Sequence, residues 1–263
     1  SDRKVYPCDD DIKKLQSFYE PLPQVGTNEK DVLLSLYQNG SPNTVAQTSG
    51  RYYGFVNGGA LPVTLAIKWM TDVWDQNAVL YVASPVAAVI EDVCEKWIVD
   101  LFGLPPQTAM GLVGGSSDAS LCALTAARNA ILEGVGWDIY NDGLMGAPSI
   151  KVVLSNEAHG TIFKALSILG IGTKNIIKVA SNSDGTLCLD QMPELDEKTL
   201  LILQAGNVNT GAFDQFEMIC ELANAKNAWI HIDGAFGLWA QTSNAHSYLT
   251  KGIEKATSWS VDA

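Results

Sequence analysis

The sequence predicts an α/β domain built on a mainly parallel sheet with helices on both faces. Three observations carry that expectation. Short apolar runs at 111–113, 150–154, 176–179, 200–203 and 228–232 alternate with stretches of helical period. Strand and helix in such succession place crossover helices over the sheet, so that its faces are covered. A chain of 263 residues with 47% apolar composition can bury one full-sized core.

In chain order, residues 1–60 form an arm, punctuated by Pro7, Pro21, Pro23, Gly26, Gly40, Pro42 and Gly50. Its one helical segment, at about 28–38, carries Val32, Leu33, Leu36 and Tyr37, a composition suited to packing on something else. Residues 61–263 are expected to form the large domain. Ser84-Pro85 opens its clearest helix, with a serine cap and a proline in the first turn. Val86, Val89, Ile90, Val93, Trp97 and Leu101 keep the helical period until Gly103 and Pro105-Pro106 end it. A strand at 111–113 then leads into a helix at 117–133, and the glycine-rich stretch 134–146 reads as a surface loop. Further helices are expected at 160–170 and 214–226, and 258–261 reads as a last strand.

Several classes are excluded. No apolar run approaches the roughly 18 residues that cross a bilayer, and the opening Ser1-Asp2-Arg3-Lys4 lacks a secretory signal, so a soluble cytoplasmic protein is expected. The five cysteines are odd in number and never arranged as C-x-x-C, which predicts buried free thiols rather than disulfides or zinc. A formal charge of −12 opposes a phosphate backbone and argues against nucleic-acid binding. Three scattered histidines do not suggest a metal site.

Ligands of parallel sheets bind beyond the carboxyl ends of the strands. The run 111–113 leads into Gly114-Gly115-Ser116-Ser117-Asp118-Ala119-Ser120, a glycine turn opening a helix. Free N–H groups at the positive end of a helix form a phosphate site, with the hydroxyls of Ser116 and Ser117 as extra donors; an ordinary capped helix is the alternative. His159, in the turn after 150–154, is by itself a capping or surface residue. His231 alternates with Asp233 along one strand and reads as structural. Asp233 ends that buried strand, where a carboxylate needs a cation or several donors. Magnesium would serve in a nucleotide hydrolase, but no G-x-x-x-x-G-K-[ST] loop is present. A protonated pyridine nitrogen serves equally well, and Gly234 and Ala235 are small enough for a flat ring to lie close.

These segments together resemble the pyridoxal-phosphate-dependent amino-acid decarboxylases, the group that includes aromatic amino-acid, glutamate, tyrosine and diaminobutyrate decarboxylases. The resemblance covers nearly the whole chain. Gly114-Gly115-Ser116-Ser117-Asp118-Ala119-Ser120-Leu121 with Ala126-Ala127-Arg128 is similar to the family's phosphate loop. Ala158-His159-Gly160-Thr161, Gln204-Ala205-Gly206-Asn207 and His231-Ile232-Asp233-Gly234-Ala235 follow in the family's order. The resemblance implies the aspartate-aminotransferase-like fold, fold type I, with a seven-stranded sheet. It makes Ser116 and Ser117 phosphate ligands, His159 the residue stacked on the cofactor ring, Asp233 the partner of the pyridine nitrogen and Ala235 the small residue at the ring face. Arg51-Tyr52-Tyr53-Gly54-Phe55 is similar to a segment near the substrate, which nominates Tyr53 and Phe55. Asn207 and Val208 stand where many relatives carry threonines beside the cofactor's phenolic oxygen, so Asn207 becomes the candidate there.

The resemblance also places the cofactor-bearing lysine shortly after a segment like Ser258-Trp259-Ser260-Val261-Asp262-Ala263, where this sequence stops. Lys251 and Lys255 do not replace it by motif. The expectation is therefore a homodimeric carboxy-lyase acting on an L-amino acid with pyridoxal 5′-phosphate, its lysine supplied by a continuation or a second polypeptide. Another lyase, aldolase or aminotransferase of the same fold is the alternative within the class. A non-catalytic binding or assembly subunit is the alternative outside it.

Overall fold

The computed structural model describes residues 4–262, so Ser1 to Arg3 and Ala263, named above in the opening and closing segments, lie outside the described residues. The chain divides into two compact units, Ser1–Asp75 and Gln76–Ala263.

The amino-terminal unit contains α1 (Asp9–Lys14), α2 (Glu29–Ser35) and α3 (Pro62–Trp74). In α1 the acidic first turn and basic last turn complement the helix dipole. Asn28 caps α2 by accepting the Lys30 N–H at 3.0 Å, and past Ser35 the predicted helix widens into a π-helical turn, Leu36–Gly40. None of these helices contains a buried residue, and Leu33, Tyr37, Trp69 and Val73 are exposed.

The larger unit begins with α4 (Pro85–Leu101), which has proline in its first turn as predicted and is followed by Gly103 at φ +61°. The predicted serine cap is not made. Ser84 occupies the cap position at φ −153° and ψ 85°, a geometry that turns its side chain away from the first-turn N–H groups. Its buried hydroxyl has no partner among the described residues. The strand predicted at 111–113 does not form either: the run is three residues long, Leu112 and Val113 are exposed, and no strand among the described residues lies beside it.

Next comes α5 (Ser116–Gly134). The glycine-rich stretch after it is not all loop, because Asp138 accepts the N–H groups of Tyr140 and Asn141 and starts the short α6 (Ile139–Asp142). Then follow β1 (Lys151–Ser155), α7 (Gly160–Ile168), β2 (Ile176–Val179), β3 (Thr199–Gln204), α8 (Phe216–Asn224), β4 (Trp229–Asp233) and β5 (Ser258–Ser260). The five strands form one parallel sheet in the order β2-β1-β3-β4-β5. The seven strands implied by the resemblance become five among the described residues.

Side chains alternate across the sheet and build two cores. On one face Val153, Leu201 and Ile230 pack with Phe216 and Ile219 of α8. On the other Leu154, Leu200 and Ile202 pack with Leu124 of α5 and Ile162 of α7. Each such fully buried aliphatic side chain contributes roughly 1.5–3 kcal/mol of transfer free energy. All five cysteines are free, but only Cys220 is buried; Cys122 points outward from α5, which corrects the prediction of buried thiols. No helix among the described residues is long and apolar enough to cross a membrane.

Candidate active site

The strand order places a topological switch between β1 and β3. From β1 the chain crosses to β2 on one side, whereas β3, β4 and β5 are added on the other. Such a switch opens a crevice at the carboxyl ends of the strands. The turn after β1 brings His159 to this crevice, β3 ends there in Gln204 and β4 in Asp233, and Gln204 and Asp233 are register partners.

His159 is the N-cap of α7. Its Nδ1 accepts the Thr161 N–H at 3.3 Å and lies 2.8 Å from Thr161 Oγ1. The capping role considered from the sequence is therefore real. The same imidazole also walls a pocket with Ser155, Gln204, Asp214 and Asp233, over a base that includes Ile162 and Ile202. Capping leaves Nε2 to carry the proton of the neutral ring.

Asp233 is only 7% exposed. Its carboxylate accepts the Ala235 N–H at a long 3.3 Å, and its register partner Ser260 stands beside it on β5. Burial raises its pKa, and the Ala235 bond, the His159 ring and Ser260 oppose that rise only in part. No lysine or arginine lines the pocket among the described residues. The other buried carboxylate, Asp214, accepts two backbone N–H groups, from Leu187 at 2.7 Å and Gln204 at 2.8 Å. Asp214 is thus pinned to the backbone, and Asp233 is the acid short of partners.

Helix α5 packs across β3, β4 and β5, with Gly115 at its N-cap and Ser116 and Ser117 in its first turn. The N–H groups of Asp118 and Ala119 bond to the Gly115 carbonyl. The Asp118 carboxylate folds back over Gly114, where a β-carbon would lie 2.8 Å from its Oδ2. His159 and the under-paired Asp233 share this pocket, whereas Ser116 and Ser117 do not line it.

Comparison with known proteins decides the family. The model of the pyridoxal-dependent decarboxylase conserved domain matches residues 14–263. The chain belongs to this decarboxylase family. An acidic amino acid decarboxylase of Mus musculus is 29% identical over 241 residues, covering 87% of this chain and 42% of the relative. An aromatic-L-amino-acid decarboxylase of Bacillus atrophaeus is 26% identical over 251 residues, covering 92% and 50%. The chain therefore spans about half the length of the curated relatives it matches. Among solved structures, mouse CSAD in apo form shares the fold at a TM-score of 0.85 and 22% identity, over 97% of this chain and 55% of that one. Oryza sativa TDC with PLP and tryptamine does so at 0.83 and 21%, over 98% and 58%.

The remaining nominated residues of this decarboxylase domain are placed as follows. Ala235 is half-buried beside Asp233, and its carbonyl accepts the Asp262 N–H at 2.8 Å. Gly234 is required by its own turn, since a β-carbon would lie 2.8 Å from Leu238 Cβ. Asn207 does not line the pocket: its Oδ1 accepts the N–H groups of Asn209 and Thr210, and its buried Nδ2 rests against Gly185 without a partner among the described residues. Tyr53 and Phe55 lie in the amino-terminal unit, both exposed. Lys251 and Lys255 are held in surface ion pairs, with Glu217 at 2.8 Å and Glu221 at 2.5 Å. No group of three or more potential metal ligands occurs among the described residues. Sequence reasoning missed Ser155, Gln204 and Asp214 as pocket residues. Strand-end position was the available signal for the first two, and Asp214 closes the stretch from Gln204 that carries part of the resemblance.

Proposed function

We propose that this chain holds pyridoxal 5′-phosphate beyond β1, β3 and β4, and that the protein to which it belongs decarboxylates an L-amino acid. Asp233 carries the reading: a buried carboxylate with few donors, sharing with His159 a pocket that no lysine or arginine lines among the described residues. A protonated ring nitrogen supplies the charge that this carboxylate lacks.

When bound, the cofactor supplies an electron sink for the pair released as a carboxylate leaves as CO₂. The residues of the chain do the rest. Ser116, Ser117 and the free N–H groups of the first turn of α5 hold the phosphate. His159 would stack on the ring, Asp233 would hold the proton on the ring nitrogen, and Ala235 would leave room for the ring. Tyr53 and Phe55 are assigned to the substrate side by resemblance alone. Decarboxylation is favoured over other chemistry of the fold because the relatives of both specificities, acidic and aromatic, are named as decarboxylases. The reading extends to a cytoplasmic homodimer, supported by exposed apolar side chains such as Trp69 and Val73 and by five free cysteines.

Two measurements test this. Titration of the chain with pyridoxal phosphate, followed by absorbance, should show saturable binding that Asp233→Ala weakens. A screen of amino acids with the complete protein should detect CO₂ release. Amino-group transfer without CO₂ would overturn the activity, and absence of binding would overturn the site.

A further inference from the structure

The face of β4 and β5 beneath α5 is polar where the rest of that core is apolar. His231 pairs in register with Ser258, and Asp233 with Ser260, so all four side chains share one face with Trp229. His231 is fully buried, and Ser260 and Ser120 of α5 are each 2% exposed. Burying so many polar groups where aliphatic side chains would pack costs stability unless each is paired.

They are linked in one series. The Trp229 indole, which can only donate, gives its N–H to Ser258 Oγ at 3.0 Å. Ser258 Oγ lies 3.0 Å from His231 Nδ1, and in the arrangement proposed below its hydroxyl hydrogen goes to that nitrogen. The neutral ring then carries its proton on Nε2, which faces Ser260 Oγ at 3.5 Å, the longest link in the series. The Ser120 hydroxyl also donates to Ser260 Oγ, at 3.2 Å. With both lone pairs occupied, Ser260 would have only its hydrogen left, and its register partner Asp233, whose carboxylate can only accept, is the acceptor beside it. A donor-only indole stands at one end of the series and an acceptor-only carboxylate at the other. The opposite tautomer of His231 would use the second lone pair of Ser258 and draw the Ser260 hydrogen to Nε2, away from Asp233.

We propose that His231 is a positioning residue: as a neutral ring protonated on Nε2, it holds the Ser260 hydroxyl on Asp233 and so keeps the shared proton on the cofactor's ring nitrogen. This rests on the reading that Asp233 faces that nitrogen. A hydrogen bond donated to a carboxylate lowers its proton affinity, so the proton of a carboxylate–pyridine pair stays with the ring. The ring of His231 is suited to the task because burial pushes its pKa down to about 4, leaving it uncharged near neutral pH.

Nitrogen-15 spectra of the chain, which has only three histidines, read the tautomer directly. His231 should show Nε2–H and Nδ1 unprotonated; the opposite tautomer overturns the proposal. Carboxyl carbon-13 titration of the unliganded chain should show the Asp233 pKa rising by about one pH unit in Ser260→Ala. His231→Leu should do the same, and His231→Gln, whose amide can donate in place of Nε2, should restore part of the loss. Ser260→Ala is the gentlest of these changes, and an Asp233 titration unmoved by it sinks the proposal even if the histidine variants fail to fold. With pyridoxal phosphate labelled at the ring nitrogen, Ser260→Ala should also lower the nitrogen's pKa. In that experiment Asp233→Asn probes the site itself: a ring nitrogen indifferent to it removes the cofactor reading, while the tautomer and the unliganded titration still decide the hydrogen-bond series.

Discussion

The Asp214 carboxylate accepts the backbone N–H of Leu187 at 2.7 Å. Its other oxygen takes the Gln204 N–H, so one buried side chain ties the turn bridged by Ser181 and Leu187 to the end of β3. Burial raises its pKa, and the two N–H bonds oppose that. Asp214→Ala leaves both N–H groups buried and unpaired, and should cost about 2–4 kcal/mol in urea unfolding. A loss below about 1 kcal/mol would show that water replaces the carboxylate.

The buried imidazole of His231 gives stability a pH dependence. Its folded pKa of about 4 lies below the ordinary 6.5, so between these values the unfolded chain binds the extra proton. Stability from this group is complete above about pH 6.5 and is lost as pH falls to about 4, a change of about 3 kcal/mol. The raised pKa values of Asp214 and Asp233 act with the opposite sign, costing stability as pH rises from 3.8 through their folded values. Unfolding of the parent and of His231→Gln at pH 7, 5.5 and 4.5 isolates the imidazole, because the difference between the two should shrink as pH falls.

At Asp233, stability and chemistry should part. Asp233→Asn keeps an acceptor for the Ala235 N–H and the Ser260 hydroxyl but removes a desolvated charge, so the unliganded variant should be at least as stable as the parent at pH 7. If the protein carries out the proposed decarboxylation, Asp233→Ala should cost about 4 kcal/mol of transition-state stabilisation, about a thousandfold in rate. Near-normal turnover would remove Asp233 from the mechanism.

His159 caps α7 and is proposed to stack on the cofactor ring, and substitutions separate the two roles. Phe in its place keeps an aromatic face and should retain more pyridoxal phosphate than Ala. Both lose the cap on α7 and should be destabilised by about 1 kcal/mol, whereas Asn should keep the cap and lose the ring contact. Equal cofactor retention in the Phe and Ala variants would leave only the cap.

All five strands were legible in the sequence, because unbroken apolar runs such as Leu200 to Leu203 have few other ways to be buried. The helix starts at Pro85 and Ser116 were legible for the same kind of local reason. The run at 111–113 misled because apolar residues make a strand only where a neighbour pairs with them. Ser84 misled because cap chemistry needs a particular backbone geometry as well as a hydroxyl. In the site, motif order nominated His159 and Asp233, and the structure brings both to one pocket, whereas the contacts of Asp214 and Ser260 are made with residues distant in sequence that no local pattern announces.

The strand order also governs how the molecule is put together. β3 must pair on the side of β1 away from β2, and every pairing in the sheet joins segments separated by a crossover. Chains dominated by such non-local contacts fold slowly. Gln204 and Asp233 come into register only once β4 has docked on β3, whereas helix content can recover earlier. In a refolding experiment, capture of pyridoxal phosphate would mark completion of the sheet, separating finished molecules from collapsed ones that circular dichroism counts alike.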